Sequence, residues 1–82
     1  MTSVRYFAAA KEAAGVGAED LVAVTLAEAL DAARALHGER FTTVLARCSF
    51  VVDGDPVGGR DHAAVAVRPD SVVDVLPPFA GG

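Results

Sequence analysis

The sequence predicts an α+β domain in which one long helix packs on a mixed sheet, and three observations predict it. Val4 and Tyr6 alternate with Ser3 and Arg5 near the start, the period of two expected of a strand with one buried face. Leu26, Ala29, Leu30, Ala33 and Leu36 recur at three- and four-residue spacing with Glu28, Asp31 and Arg34 between them, which is the pattern of a helix burying one stripe. Ser71-Val72-Val73-Asp74-Val75-Leu76 is apolar on both faces, as a central strand would be. At 82 residues there is room for a single domain. Its core must be thin, because a chain this short buries only roughly 60% of the surface its unfolded form exposes.

The elements follow in order. After the first strand, Phe7 places an apolar side chain opposite the Val4 and Tyr6 face. Ala8 to Ala14, alanine-rich with Lys11 and Glu12 inside, reads as a short helix stopped by Gly15. A connection through Gly15 to Gly17 then leads to a second strand at Leu21-Val22-Ala23-Val24, so that strands one and two form a wide hairpin. Thr25 followed by Glu28 has capping-box spacing and starts the long helix, for which Gly38 supplies a left-handed stop. Phe41 to Arg47 carries a further helical turn or two. Ser49 to Asp53, with Phe50-Val51-Val52 at its centre, is the third strand. Asp53-Gly54-Asp55-Pro56 is a turn, Gly58 to His62 a loop, and Ala63 to Val67 a weak strand or irregular segment before Pro69.

Composition excludes several function classes. Seven Lys and Arg against eleven Asp and Glu give a formal charge of −4. That charge repels phosphate backbones and anionic lipid, so neither a nucleic acid nor a membrane is expected as a partner, and a basic protein surface is. A single cysteine, Cys48, rules out an internal disulfide and cysteine-pair zinc sites. It sits beside a β-rich segment, where an inert buried thiol is the expectation. His37 and His62 lack a ligand at metal spacing, and Asp53 and Asp55 lack the closing Glu of a calcium loop, so no metal is expected. MTSVRYF has no basic region leading into an apolar stretch, which makes a cytoplasmic location the expectation.

The chemistry points to Pro77-Pro78-Phe79-Ala80-Gly81-Gly82. Two prolines cannot donate to a sheet ladder, and they hold the backbone extended, so they carry the chain away from the domain. Four further residues reach at most ~13 Å. Two glycines have no side chain to obstruct a narrow channel. A carboxylate there is a poor electrophile and requires activation, for example as an acyl-adenylate made with ATP by another protein. This chain has no G-x-x-x-x-G-K-[ST] phosphate loop, and its only lysine is Lys11.

VRYFAAAKEAAG, TLAEALDAARALHG, SFVVDGDP and SVVDVLPPFAGG occur in the order seen in small sulfur-carrier proteins. The chain resembles the MoaD-like small subunit of molybdopterin synthase, in the ubiquitin-like MoaD/ThiS family, over nearly its whole length. The most specific match is the PP-x-x-GG ending. The resemblance implies a ubiquitin-like β-grasp domain at 1–76, with an extended tail at 77–82. It further implies that Gly82 is adenylated and becomes a thiocarboxylate, with Gly81 and Ala80 threading into a partner. Sulfur would pass to cyclic pyranopterin monophosphate in molybdenum-cofactor synthesis. The implied partners are a MoaE-like large catalytic subunit and a MoeB-like activating enzyme that uses ATP. No cofactor is expected on this chain, which is read as the non-catalytic subunit. Phe7, Leu76 and Phe79 are the candidate partner-binding residues, against ordinary core packing for the first two. The chain departs from the family pattern at Arg68-Pro69-Asp70-Ser71 and in a longer 58–67 segment. Three alternatives stand beside this reading: a carrier for thiazole or cysteine synthesis, a protein modifier joined through Gly82, and a plain interaction module.

Overall fold

Residues 1–78 are described by a computed structural model. The N-terminal alternation forms β1 (Thr2–Tyr6), with Thr2, Val4 and Tyr6 buried and Arg5 exposed on the other face. Then come α1 (Ala8–Ala14), β2 (Ala18–Leu21), α2 (Leu26–Leu45), β3 (Ser49–Val52), β4 (Asp55–Pro56), a single 3-10 turn at His62–Ala64, and β5 (Val72–Leu76). The sheet order is β2-β1-β5-β3-β4. β5 lies parallel to β1 and antiparallel to β3, so the last strand is central, as its valine-rich run predicts. Val73 and Val75 are fully buried on the helix side. β2 pairs antiparallel with β1 across the predicted wide hairpin, and α1 occupies the connection.

The second strand lies earlier than the sequence predicts. Pairing of Thr2 with Leu21 and Arg5 with Ala18 draws Ala18–Leu21 into the sheet, leaving Val22 and Val24 77% and 66% exposed in the following connection. Tertiary register overrides local apolar density here.

Thr25 caps α2 as its spacing predicts, its hydroxyl accepting from Glu28 N at 3.2 Å. The reciprocal bond comes from Val24 N, one residue earlier than in a standard capping box, at 3.0 Å to Glu28 Oε1. Gly38 ends the first helical run of α2 as its sequence position predicts, being non-helical at φ 80°, ψ −163°, a region glycine tolerates, and a second helical run follows to Leu45. Leu36 is 61% exposed and is not part of the buried stripe. At 100° per residue it stands about 80° from Leu26, whereas His37 stands about 20° away and takes the stripe position.

Leu26, Leu30, Ala33, Phe41 and Leu45 of α2 pack on Val4, Tyr6, Phe50, Val73 and Val75 of the sheet. The Tyr6 ring meets Phe41 edge-on at 5.3 Å. The long 57–71 connection is held down by buried Val57, Val65 and Val67, by Val65 O accepting from Leu26 N (2.8 Å), and by Val67 N donating to Val24 O (3.1 Å). Asp53, at φ 51°, closes the hairpin of β3 and β4 and also secures the start of β5. Its carboxylate accepts from Val72 N at 2.8 Å and from the Ser71 hydroxyl at 2.9 Å. Those two donors hold the Asp53 carboxyl below the usual carboxylate range.

A carboxyl lowered on folding adds stability that is fully present above the unfolded value of about pH 4 and is lost as pH falls through the folded value. Asp53→Asn, which tolerates the same backbone conformation, is therefore expected to be less stable than the parent at pH 7. The gap should narrow on acidification below about pH 4, read as thermal midpoints across a pH series. A pH-independent gap would contradict this role.

Candidate functional site

The register of β1 and β5 places the candidate residues. Tyr6 pairs with Val75 in parallel strands, so the next residues, Phe7 and Leu76, leave the same end of the sheet side by side. Phe7 is 40% exposed, as is Val16 after α1, and Leu76 and Pro77 are half-buried. Together with Ala8, Ala9 and Pro78 they line an open apolar groove. Lys11 and Glu12 stand at the same groove and bring one charge of each sign. Phe7 and Leu76 thus meet at the tail base, not in the core. Phe79, Ala80, Gly81 and Gly82 lie outside the described residues.

Two local devices hold Phe7 outward. Arg5 forms a paired contact with Asp74 of the neighbouring strand, Nε to Oδ1 at 2.5 Å and Nη2 to Oδ2 at 2.8 Å. The Arg5 guanidinium carbon also lies 5.8 Å from the centre of the Phe7 ring, within cation–π range. The second device is backbone geometry. Ala8 begins α1 at φ 50°, in a left-handed conformation that an L side chain rarely adopts, and the chain turns sharply there from strand to helix. Sequence reasoning passed over Ala8, since alanine in an alanine-rich helix carries no signal of a strained turn.

The remaining candidates have structural occupations. Cys48 donates its thiol to Val44 O at 3.3 Å, and burial pushes its pKa up, away from the thiolate that nucleophilic chemistry needs. His37 serves a structural contact. Its Nε2 lies 2.5 Å from Glu19 Oε2, the oxygen that also accepts from the Tyr6 hydroxyl, and its ring packs against Phe41 at 5.0 Å. Burial and Glu19 together raise the Tyr6 pKa. His62 meets the Phe50 ring edge-on at 5.2 Å, and Asp61 caps its turn by accepting from Ala63 N at 3.1 Å. No cluster of three or more His, Cys, Asp or Glu able to hold a metal occurs among the described residues. Among them, too, no helix is long and apolar enough to cross a membrane.

A five-stranded mixed sheet with parallel β1 and β5 adjacent at its centre, crossed on one face by a long helix, is the β-grasp architecture of ubiquitin-like proteins. Comparison with solved structures agrees. The small archaeal modifier protein 1 from Methanosarcina acetivorans superposes with a TM-score of 0.83 at 16% identity, over 99% of this chain and 95% of that one. A putative molybdopterin converting factor subunit 1 from Pyrococcus furiosus matches with a TM-score of 0.78 at 21% identity, over 95% of this chain and 97% of that one. A complex of subunits 1 and 2 of molybdopterin-converting factor from Helicobacter pylori contains a match with a TM-score of 0.71 at 22% identity, over 99% and 97% of the two chains. No curated protein matches in sequence. The ThiS family model matches residues 4–82, and the chain belongs to that family of ubiquitin-like sulfur carriers.

A left-handed conformation costs a non-glycine residue roughly 1–2 kcal/mol, part of which is offset when glycine loosens the unfolded chain. Ala8→Gly should therefore raise unfolding stability by about 0.5–1 kcal/mol in urea titration. A loss of stability would contradict the strain assigned to this turn.

Proposed function

We propose that this chain carries sulfur as a thiocarboxylate on Gly82 and delivers it to cyclic pyranopterin monophosphate as the small subunit of molybdopterin synthase. The observation that carries the reading is the groove. The central strand brings Pro77-Pro78 out beside Phe7 and Leu76, so a partner gripping this apolar surface is placed directly over the tail. The family match running through Gly81 and Gly82 supports it.

In this reading the chain supplies a handle, and the reactions belong to its partners. A MoeB-like enzyme converts the Gly82 carboxylate with ATP to an acyl-adenylate, releasing pyrophosphate, and sulfide-level sulfur then displaces AMP to leave the thiocarboxylate. The thiocarboxylate is a better nucleophile than the carboxylate and gives up one sulfur per loading, so two transfers, each from a newly loaded chain, build the dithiolene. Ala80 and Gly81 thread into the MoaE-like large subunit with little or no side chain to obstruct them. Phe7, Leu76 and Phe79 form the apolar contact that holds the subunits together while the tail is inserted.

Deleting Gly81 and Gly82 should abolish dithiolene formation with purified large subunit and cyclic pyranopterin monophosphate, while the amide NMR spectrum of residues 1–76 stays unchanged. Continued formation by the truncated chain would overturn the reading. Carriage toward thiazole or cysteine synthesis keeps the thiocarboxylate and changes the acceptor, so it predicts the same loaded chain with no dithiolene product. One fold neighbour is described as a modifier. That alternative predicts isopeptide adducts through Gly82 in cell extract.

The formal charge of −4 favours a basic partner surface. The dissociation constant for the large subunit should accordingly rise between low and physiological salt, mainly through slower association. Salt-independent binding would contradict an electrostatic contribution.

A further inference from the structure

The groove beside Phe7 and Leu76 has what a surface needs in order to match itself. In two copies related by a two-fold axis, a contact from residue i to residue j recurs from j to i, so each charge must find its opposite on the same patch. Lys11 and Glu12 both line the groove, both are exposed, and neither forms an ion pair among the described residues. The Lys11 stem lies along Gly17, its Cε 3.4 Å from the position a Cβ would take there, and its ammonium stands at the groove. Arg5, whose guanidinium reaches the Phe7 ring, is already paired with Asp74, so the side-chain charges around the groove cancel. The acidic surplus behind the formal charge of −4 therefore lies elsewhere on the molecule. Apolar carbon is open on the same patch, where Phe7 and Val16 are each 40% exposed.

We propose that the free chain pairs through this face with a second copy of itself, the Phe7 ring of each seated against the groove of the other and Lys11 of each opposite Glu12 of the other. Burial of the exposed aromatic and aliphatic carbon drives the pairing, and the two symmetric ion pairs set its register. The contact is small and the remote acidic surplus of the two copies repels, so the pair is weak and exchanges rapidly. The self-pairing does not depend on what Gly82 carries. Its consequence, that a second copy and the large subunit compete for one face, rests on the function proposed above.

The test is NMR of the full chain over a dilution series from millimolar to micromolar, with sedimentation equilibrium at the upper end. Signals of Phe7, Val16 and Leu76 should move with concentration along one monomer–dimer curve, while Val22 and Val24, exposed past the other end of β2, stay fixed. Lys11→Glu and Glu12→Lys each set like charges across the two-fold axis and should weaken the dimer by roughly threefold or more. The double variant Lys11→Glu/Glu12→Lys restores both the opposite pairing and the net charge, and should return to the parent value. Both positions are exposed on α1, so the variants fold. Signals independent of concentration up to millimolar, shifts at Val22 and Val24 equal to those at Phe7, or a double variant as weak as the single ones would each overturn the proposal. Large-subunit binding by a chain that stays monomeric throughout would overturn the self-pairing and leave the proposed function standing.

Discussion

The parallel pairing of β1 with β5 is the constraint on which the rest of the structure depends. It joins the two ends of the sequence at the centre of the sheet, in the register Tyr6 opposite Val75. Because the strands run the same way, the residue that follows each one emerges at the same end, and Phe7 meets Leu76 there. Reversing one strand would send them to opposite ends. The bidentate contact of Arg5 with Asp74 lies on the same pair of strands and ties the outer face of that register. A docking surface built from residue 7 and residues 76 to 78 thus follows from topology, and loop conformation contributes little to it.

The opposite end of β5 is secured differently. Asp53 accepts from the Ser71 hydroxyl and the Val72 N–H, while Arg68 N donates to the Ser71 oxygen at 2.9 Å and Thr2 Oγ1 donates to Arg68 O at 2.8 Å. The Arg68-Pro69-Asp70-Ser71 turn is therefore a hydrogen-bonded joint between β1, the hairpin after β3 and the start of β5. With the entry to the central strand fixed, its exit at Leu76 is fixed too, and the groove inherits that rigidity. Among the described residues, no buried side-chain nitrogen or oxygen lacks a hydrogen-bond partner, which fits a small core that has little surplus to spend on unmet polar groups.

Much of this was legible in the residues, for local reasons. Thr25 and Glu28 mark a helix start through bonds made within one turn, and the valine-rich run at 72–75 marks the central strand, whose Val73 and Val75 are fully buried. β2 was misplaced because Ala18-Glu19-Asp20-Leu21 is a polar edge strand whose position is set by pairing with β1, and no local pattern encodes that pairing. The break at Gly38 was legible as well, because a glycine between two helical runs supplies the positive φ that a residue with a side chain rarely adopts. His37 lies on the buried stripe by helical geometry, yet its partner Glu19 is remote in sequence and arrives only through the fold. For the site, Phe7 and Leu76 were legible as apolar residues near the tail, whereas the left-handed turn at Ala8 that aims Phe7 outward had no local signal.

The central claim is that Gly82 is the atom-bearing end of a carrier. Intact mass spectrometry of the chain after incubation with ATP, a sulfur source and a MoeB-like activating enzyme tests it most directly. The account predicts a gain of about 16 Da, one oxygen replaced by sulfur, confined to the peptide containing Gly82. An unchanged mass with several competent activating enzymes, or a gain located on any other peptide, would contradict it.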